Sequence, residues 1–96
     1  MIFRIDNKAM KYYKRNWDEL RGDEFDFWGT STWYFECDED DYVLRQMEIY
    51  ANGNVLKYDE SYQEDKYGGQ AEGPLDSEEF AEFEITKDEF ERVWAE

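Results

Sequence analysis

The chain has 96 residues, 20% of them aromatic, and a net charge of −15 from 26 acidic against 11 basic residues. That charge disfavours direct binding to nucleic acid or to an acidic membrane surface, because both need a basic footprint. The absence of histidine removes the usual general base and the commonest transition-metal ligand, and one cysteine, Cys37, permits neither a disulfide framework nor a thiolate metal cage.

In chain order, Ile2–Ile5 suits a short first strand, and Asp6 or Asn7 can cap a helix over Lys8–Leu20. Met10, Tyr13, Trp17 and Leu20 give that helix an apolar stripe, and Gly22 can stop it. A strand over Met10–Trp17 is the rival reading, since Tyr12, Tyr13 and Trp17 also suit a strand; the helix is preferred. Lys8, Lys11 and Lys14 then form its solvated face. Gly22–Thr32 reads as a loop whose Phe25, Phe27 and Trp28 either fold back on the core or leave one or two rings exposed as anchors for a partner.

Trp33–Tyr58 carries the centre of the fold. Three apolar runs, Trp33–Cys37, Tyr42–Tyr50 and Val55–Tyr58, are separated by the acid run Asp38–Asp41 and by Ala51-Asn52-Gly53-Asn54, whose Asn-Gly pair suits a tight hairpin. Met47 and Ile49 alternate with Gln46 and Glu48, so the latter pair is expected on the outer face of a half-buried strand. Cys37 ends its run as a small, partly buried core residue.

Asp59–Gly73 is polar, acidic and glycine-containing, and reads as a long surface loop. Asp76 caps a single helical turn, and Phe83 and Ile85 alternate with Glu82 and Glu84 as a fourth strand with an acidic outer face. Thr86-Lys87-Asp88-Glu89 is a capping box, Ile85 and Phe90 form its hydrophobic staple, and Phe90, Val93 and Trp94 mark the buried stripe of a C-terminal helix. The expected fold is α+β: one domain over residues 1–96, an antiparallel sheet of four or five strands, and an N-terminal and a C-terminal helix packed on it.

Known chemistry is sparse. Gly68-Gly69 lacks the spacing and the lysine of a phosphate-binding loop, and neither Asp38–Asp41 nor Asp59–Asp65 has the ligand spacing of a calcium loop. No catalysis, cofactor or metal is expected. Residues 1–21 hold six bases and three acids, whereas residues 22–96 hold five bases and 23 acids. An intense negative field of that kind attracts basic partners. With no leader-like or membrane-spanning apolar run, the expected compartment is the cytoplasm.

Two stretches, Tyr34–Asp59 with its acid run and turn glycine, and Phe80–Glu96 with its capping box and Trp94, resemble a family of small uncharacterised bacterial proteins. The resemblance spans less than half of the chain and implies a small α+β fold without an assigned activity. In type, the chain also resembles the immunity proteins of bacterial toxin–immunity pairs, which are small, acidic, rich in aromatics and without catalytic equipment.

The resulting expectation is an immunity protein that neutralises a basic toxin domain, a nuclease acting on RNA or DNA, by placing carboxylates and tyrosines in its active site. Another nucleic-acid mimic, directed at a defence nuclease, and a general acidic interaction domain are the alternatives. The expected contacts are Asp38, Glu39, Asp40, Asp41, Asp59, Glu60, Glu64 and Asp65, with Tyr62 and Tyr67 as anchors, in a heterodimer of one copy with its partner. Each acid taken singly reads as an ordinary solvated charge; the cluster carries the expectation.

Overall fold

The computed structural model of the protein describes residues 10–96. The strand expected at Ile2–Ile5 and the cap at Asp6 or Asn7 lie outside them. The main sheet has five strands: β1 (Lys11–Trp17), β2 (Ser31–Cys37), β3 (Val43–Tyr50), β4 (Val55–Tyr58) and, after two short strands described below, β7 (Glu84–Ile85). Their order is β4-β3-β2-β1-β7, and all pairings are antiparallel. Two short helices, α1 (Ser77–Phe80) and α2 (Lys87–Trp94), follow late in the chain. No helix among the described residues is long and apolar enough to cross a membrane.

The meander forms at the expected runs. The Asn52-Gly53 turn closes β3 on β4 with Gly53 at φ 96°, a backbone conformation natural to glycine. At the other end, Asp38 accepts hydrogen bonds from the Asp40 and Tyr42 amides, at 2.9 and 3.1 Å, and so holds the β2–β3 turn. Cys37 is fully buried beside Val43, deeper in the core than the partly buried position its place at the end of the run suggests. A bulge at this end sets Glu36 opposite Arg45 but Cys37 opposite Val43, so Leu44 is the extra residue.

The N-terminal helix expected over Lys8–Leu20 is corrected: its described part contains β1, with Lys11 opposite Cys37 and Trp17 opposite Ser31. A helix would use Tyr13 and Trp17 but would leave Tyr12 on its flank. The extended chain buries both neighbouring tyrosines, on opposite faces of the sheet. Tyr12 packs with Tyr34, Met47 and Phe90, while Tyr13 packs with Phe35, Cys37, Val43 and Phe80.

Helix α2 covers the first of these faces. Thr86 Oγ1 accepts from the Glu89 amide at 3.1 Å, and Ile85 and Phe90 join one apolar cluster as the staple requires. Arg45 ties the helix down. Its guanidinium pairs with Glu36 and Glu91, each at 2.7 Å, and lies over the rings of Phe90 and Trp94.

The second face is also covered, which corrects the expected outward placement of Gln46 and Glu48. Both are buried. The segment following β1 lays Trp28 against Tyr50, and residues 59–75 fold back across the rest of the face. Within the latter, β5 (Glu64–Asp65) and β6 (Gly68–Gly69) form a small hairpin where the sequence suggests only a loop. Gln46 pins this cover, its amide donating to the Gly69 carbonyl at 3.2 Å and its carbonyl accepting from the Ala71 amide at 2.8 Å. Asp76 caps α1 by accepting from the Glu78 and Glu79 amides. The expected fourth strand shrinks to Glu84–Ile85, because Ala81–Phe83 coils into a 3-10 turn.

Candidate partner-binding site

The acidic stretches leave the sheet at a common end. The Cys37–Val43 pair closes that end of β2 and β3, and β4 runs towards it, finishing with Tyr58 opposite Gln46. Asp59, Glu60 and Ser61 border a shallow depression shared with Met10, Glu36, Leu44 and Arg45. The topology therefore directs the turn at Asp38–Asp41 and the start of the Asp59–Asp65 stretch to the same end of the sheet, although 17 residues lie between Asp41 and Asp59 along the sequence.

The carboxylates divide by what they already hold. Asp41 is buried at φ 70°, and accepts from Tyr13 Oη and Lys11 Nζ, both at 3.2 Å. Burial, followed by the adjoining Asp41 carboxylate, pushes the Tyr13 hydroxyl up to about 12. Asp38 holds its own turn, and Asp59 accepts from the Ser61 amide and hydroxyl. Asp65 is the hub of the small hairpin. Its carboxylate accepts from Tyr58 Oη and Tyr62 Oη at 3.0 Å, from the Tyr67 amide at 2.9 Å and from the Gly68 amide at 3.2 Å. Burial opposes ionisation of Asp65, but these bonds outweigh it and hold the carboxyl below its ordinary range.

Glu39, Asp40, Glu60 and Glu64 are different. They are exposed, and among the described residues their carboxylates make no hydrogen bond or ion pair. The two expected anchors also separate. Tyr62 is 52% exposed and stacks on Tyr58, whereas Tyr67 turns inward against Phe25 and Trp28. The sequence reading omitted Tyr42, 49% exposed beside the acid run. The apolar run Tyr42–Tyr50 reads as one packed strand, but β3 begins at Val43 and leaves the Tyr42 ring in solvent. Of the loop aromatics, Phe25 and Trp28 fold back and Phe27 stands out, 74% exposed.

A second concavity lies on the face covered by the small hairpin. Trp17, Glu19, Leu20, Arg21, Asp23, Trp33, Glu48, Tyr50 and Tyr67 are among the residues lining a cleft of about 240 Å³. Sequence reasoning missed it, because its parts come from four separated segments and Glu48 reads locally as a surface acid. Among the described residues no group of three or more Asp, Glu or Cys side chains has a geometry that could hold a metal ion.

Comparison with known protein families, with curated proteins and with solved structures finds no match.

Proposed function

We propose that the protein is an immunity-type inhibitor that binds a basic toxin domain of nuclease character and occupies the groups that would hold phosphate. The observation carrying this reading is the set of uncommitted acids and exposed rings in the β2–β3 turn and in the segment that follows β4: Glu39, Asp40, Glu60 and Glu64, with Tyr42 and Tyr62. Carboxylates without internal partners are available to lysines and arginines, while tyrosine rings can fill the sites of a nuclease in which bases would stack. The net charge of −15 adds long-range attraction, which accelerates capture of a basic target.

The test is affinity capture from the native host at low and high salt, followed by assay of any basic protein recovered for nuclease activity with and without this chain. The expected result is one basic nuclease, inhibited by the purified protein and bound more weakly as salt rises. Neutralising Glu39, Asp40, Glu60 and Glu64 to their amides should weaken that complex by at least about tenfold while leaving the melting temperature unchanged or raised. Capture of no basic protein, or inhibition that survives the four substitutions intact, overturns the reading.

A further inference from the structure

The most enclosed carboxylate of the described residues lies away from the acidic turns. Glu48 is 3% exposed, on the same face of β3 as Gln46 and Tyr50. It accepts a hydrogen bond from Tyr50 Oη at 2.6 Å and another from Gln46 Nε2 at 2.8 Å. Both donors are neutral, and two bonds use about half of the acceptor positions of a carboxylate. Among the described residues no lysine or arginine forms an ion pair with it. Burial raises its pKa, against the pull of those two hydrogen bonds and of the Arg21 charge. A buried carboxylate is costly unless a cation joins it.

Glu48 is nevertheless reachable, because it lines the 240 Å³ cleft. Trp17, Trp33, Tyr50 and Tyr67 supply aromatic walls, and Glu19 and Asp23 add two further acids. Trp17 and Trp33 pack on each other with ring centroids 6.2 Å apart; Trp17 is 41% exposed, and the Arg15 guanidinium lies over its ring at 5.2 Å. The only cation in this lining is Arg21, and its donors are already committed. It pairs with Asp23 at 3.0 Å, donates to the Tyr67 carbonyl and reaches Tyr50 Oη at 3.4 Å. Its guanidinium lies over the rings of Phe25, Trp28 and Tyr50. The lining therefore holds three acids against one base, and that base is neutralised chiefly by Asp23.

We propose that this cleft receives one arginine or lysine side chain of the basic partner, its head group beside Glu48 and its stem against Trp17 and Trp33. The proposal rests on the inhibitor reading and gives it a specific socket. Aromatic walls favour the apolar stem and the face of a cation, and the buried carboxylate supplies a charge-assisted acceptor with lone pairs to spare. The small volume suits a single long side chain.

The test uses the full chain and follows the indole N–H signals of Trp17 and Trp33 by NMR during titration with acetyl-Gly-Arg-Gly-amide, acetyl-Gly-Gln-Gly-amide and spermidine. Saturable shifts with the arginine peptide, none with the glutamine peptide and weaker ones with spermidine are expected. Glu48→Gln should weaken arginine-peptide binding about tenfold, and Trp17→Ala severalfold. Absence of a saturable shift, equal binding by the two peptides, preference for the free polyamine, or undiminished binding by both variants overturns the proposal. Should Glu48→Gln fail to fold, as judged by near-ultraviolet dichroism, the exposed Trp17→Ala variant decides alone. Capture of a basic nuclease with no peptide binding removes the socket but leaves the inhibitor reading. Peptide binding with no captured partner does the reverse.

Discussion

Asp65 illustrates how one acid in this chain is spent on structure. Its four hydrogen bonds tie the side chains of Tyr58 and Tyr62 to the backbone of the small hairpin at Tyr67 and Gly68. Removing the acceptor leaves the buried Tyr58 hydroxyl unsatisfied. Asp65→Ala should therefore cost about 1–3 kcal/mol, measured by urea unfolding near neutral pH. The sign of the pH effect follows from the depressed carboxyl: its stabilisation is full above the unfolded-state pKa and is lost as pH falls through the lower folded-state value. Glu91 acts in the same direction, its carboxyl lowered first by the hydrogen bond from Arg45 and against the effect of burial. Between about pH 6 and pH 3 the Asp65 contribution should be lost, so the stability advantage of the parent protein over Asp65→Asn should shrink across that interval. Equal losses in both proteins would contradict this role for Asp65.

Elements in this fold are fastened to one another by short polar and steric locks. Gly29 ends the 3-10 turn at Asp26–Trp28 with φ 89° and ψ −164°, a conformation almost confined to glycine. It lies against the β3–β4 turn, where an added Cβ would sit 2.8 Å from the Ala51 Cβ. The flanking bonds, Ala51 N–H to the Thr30 carbonyl at 2.9 Å and Asn52 N–H to the Trp28 carbonyl at 3.1 Å, leave little room for adjustment. Gly29→Ala should destabilise by about 2–3 kcal/mol in thermal or urea unfolding. An effect below about 0.5 kcal/mol would show that the two turns move independently. Strand β1 shows why such locks matter for reading elements from sequence. Met10, Tyr13, Trp17 and Leu20 have helical spacing, yet the gain from burying Tyr12 on one face and Tyr13 on the other requires a sheet already present on both sides. Local periodicity did not contain that information.

At the scale of the whole molecule, a charge of −15 on 96 residues opposes compaction. The described ion pairs, such as Lys11–Asp41, Arg15–Glu79 and Arg45–Glu36, neutralise only part of it. Screening should relieve the repulsion among the exposed acids more than it weakens the partly buried pairs. Raising sodium chloride from about 20 mM to about 500 mM should therefore raise the melting temperature by several degrees, while the same change weakens capture of a basic partner. A melting temperature that falls with salt would mean that the internal pairs outweigh the self-repulsion.

The amino-acid sequence by itself determined the meander, its two turns, the caps of α1 and α2, and the acidic character of the surface. Each depends on neighbours within a few residues: Asn52-Gly53 for a turn, Asp76 and Thr86 for helix starts, alternating apolar residues for strands. Tertiary structure alone decided that β1 is a strand, that both faces of β3 are covered, and which acids remain uncommitted. It placed Asp41 and Asp65 inward as acceptors, left Glu39, Asp40, Glu60 and Glu64 in solvent, and enclosed Glu48 among aromatic rings. An isolated carboxylate reads the same in any acidic stretch; its hydrogen bonds and burial depend on residues brought together from distant parts of the chain.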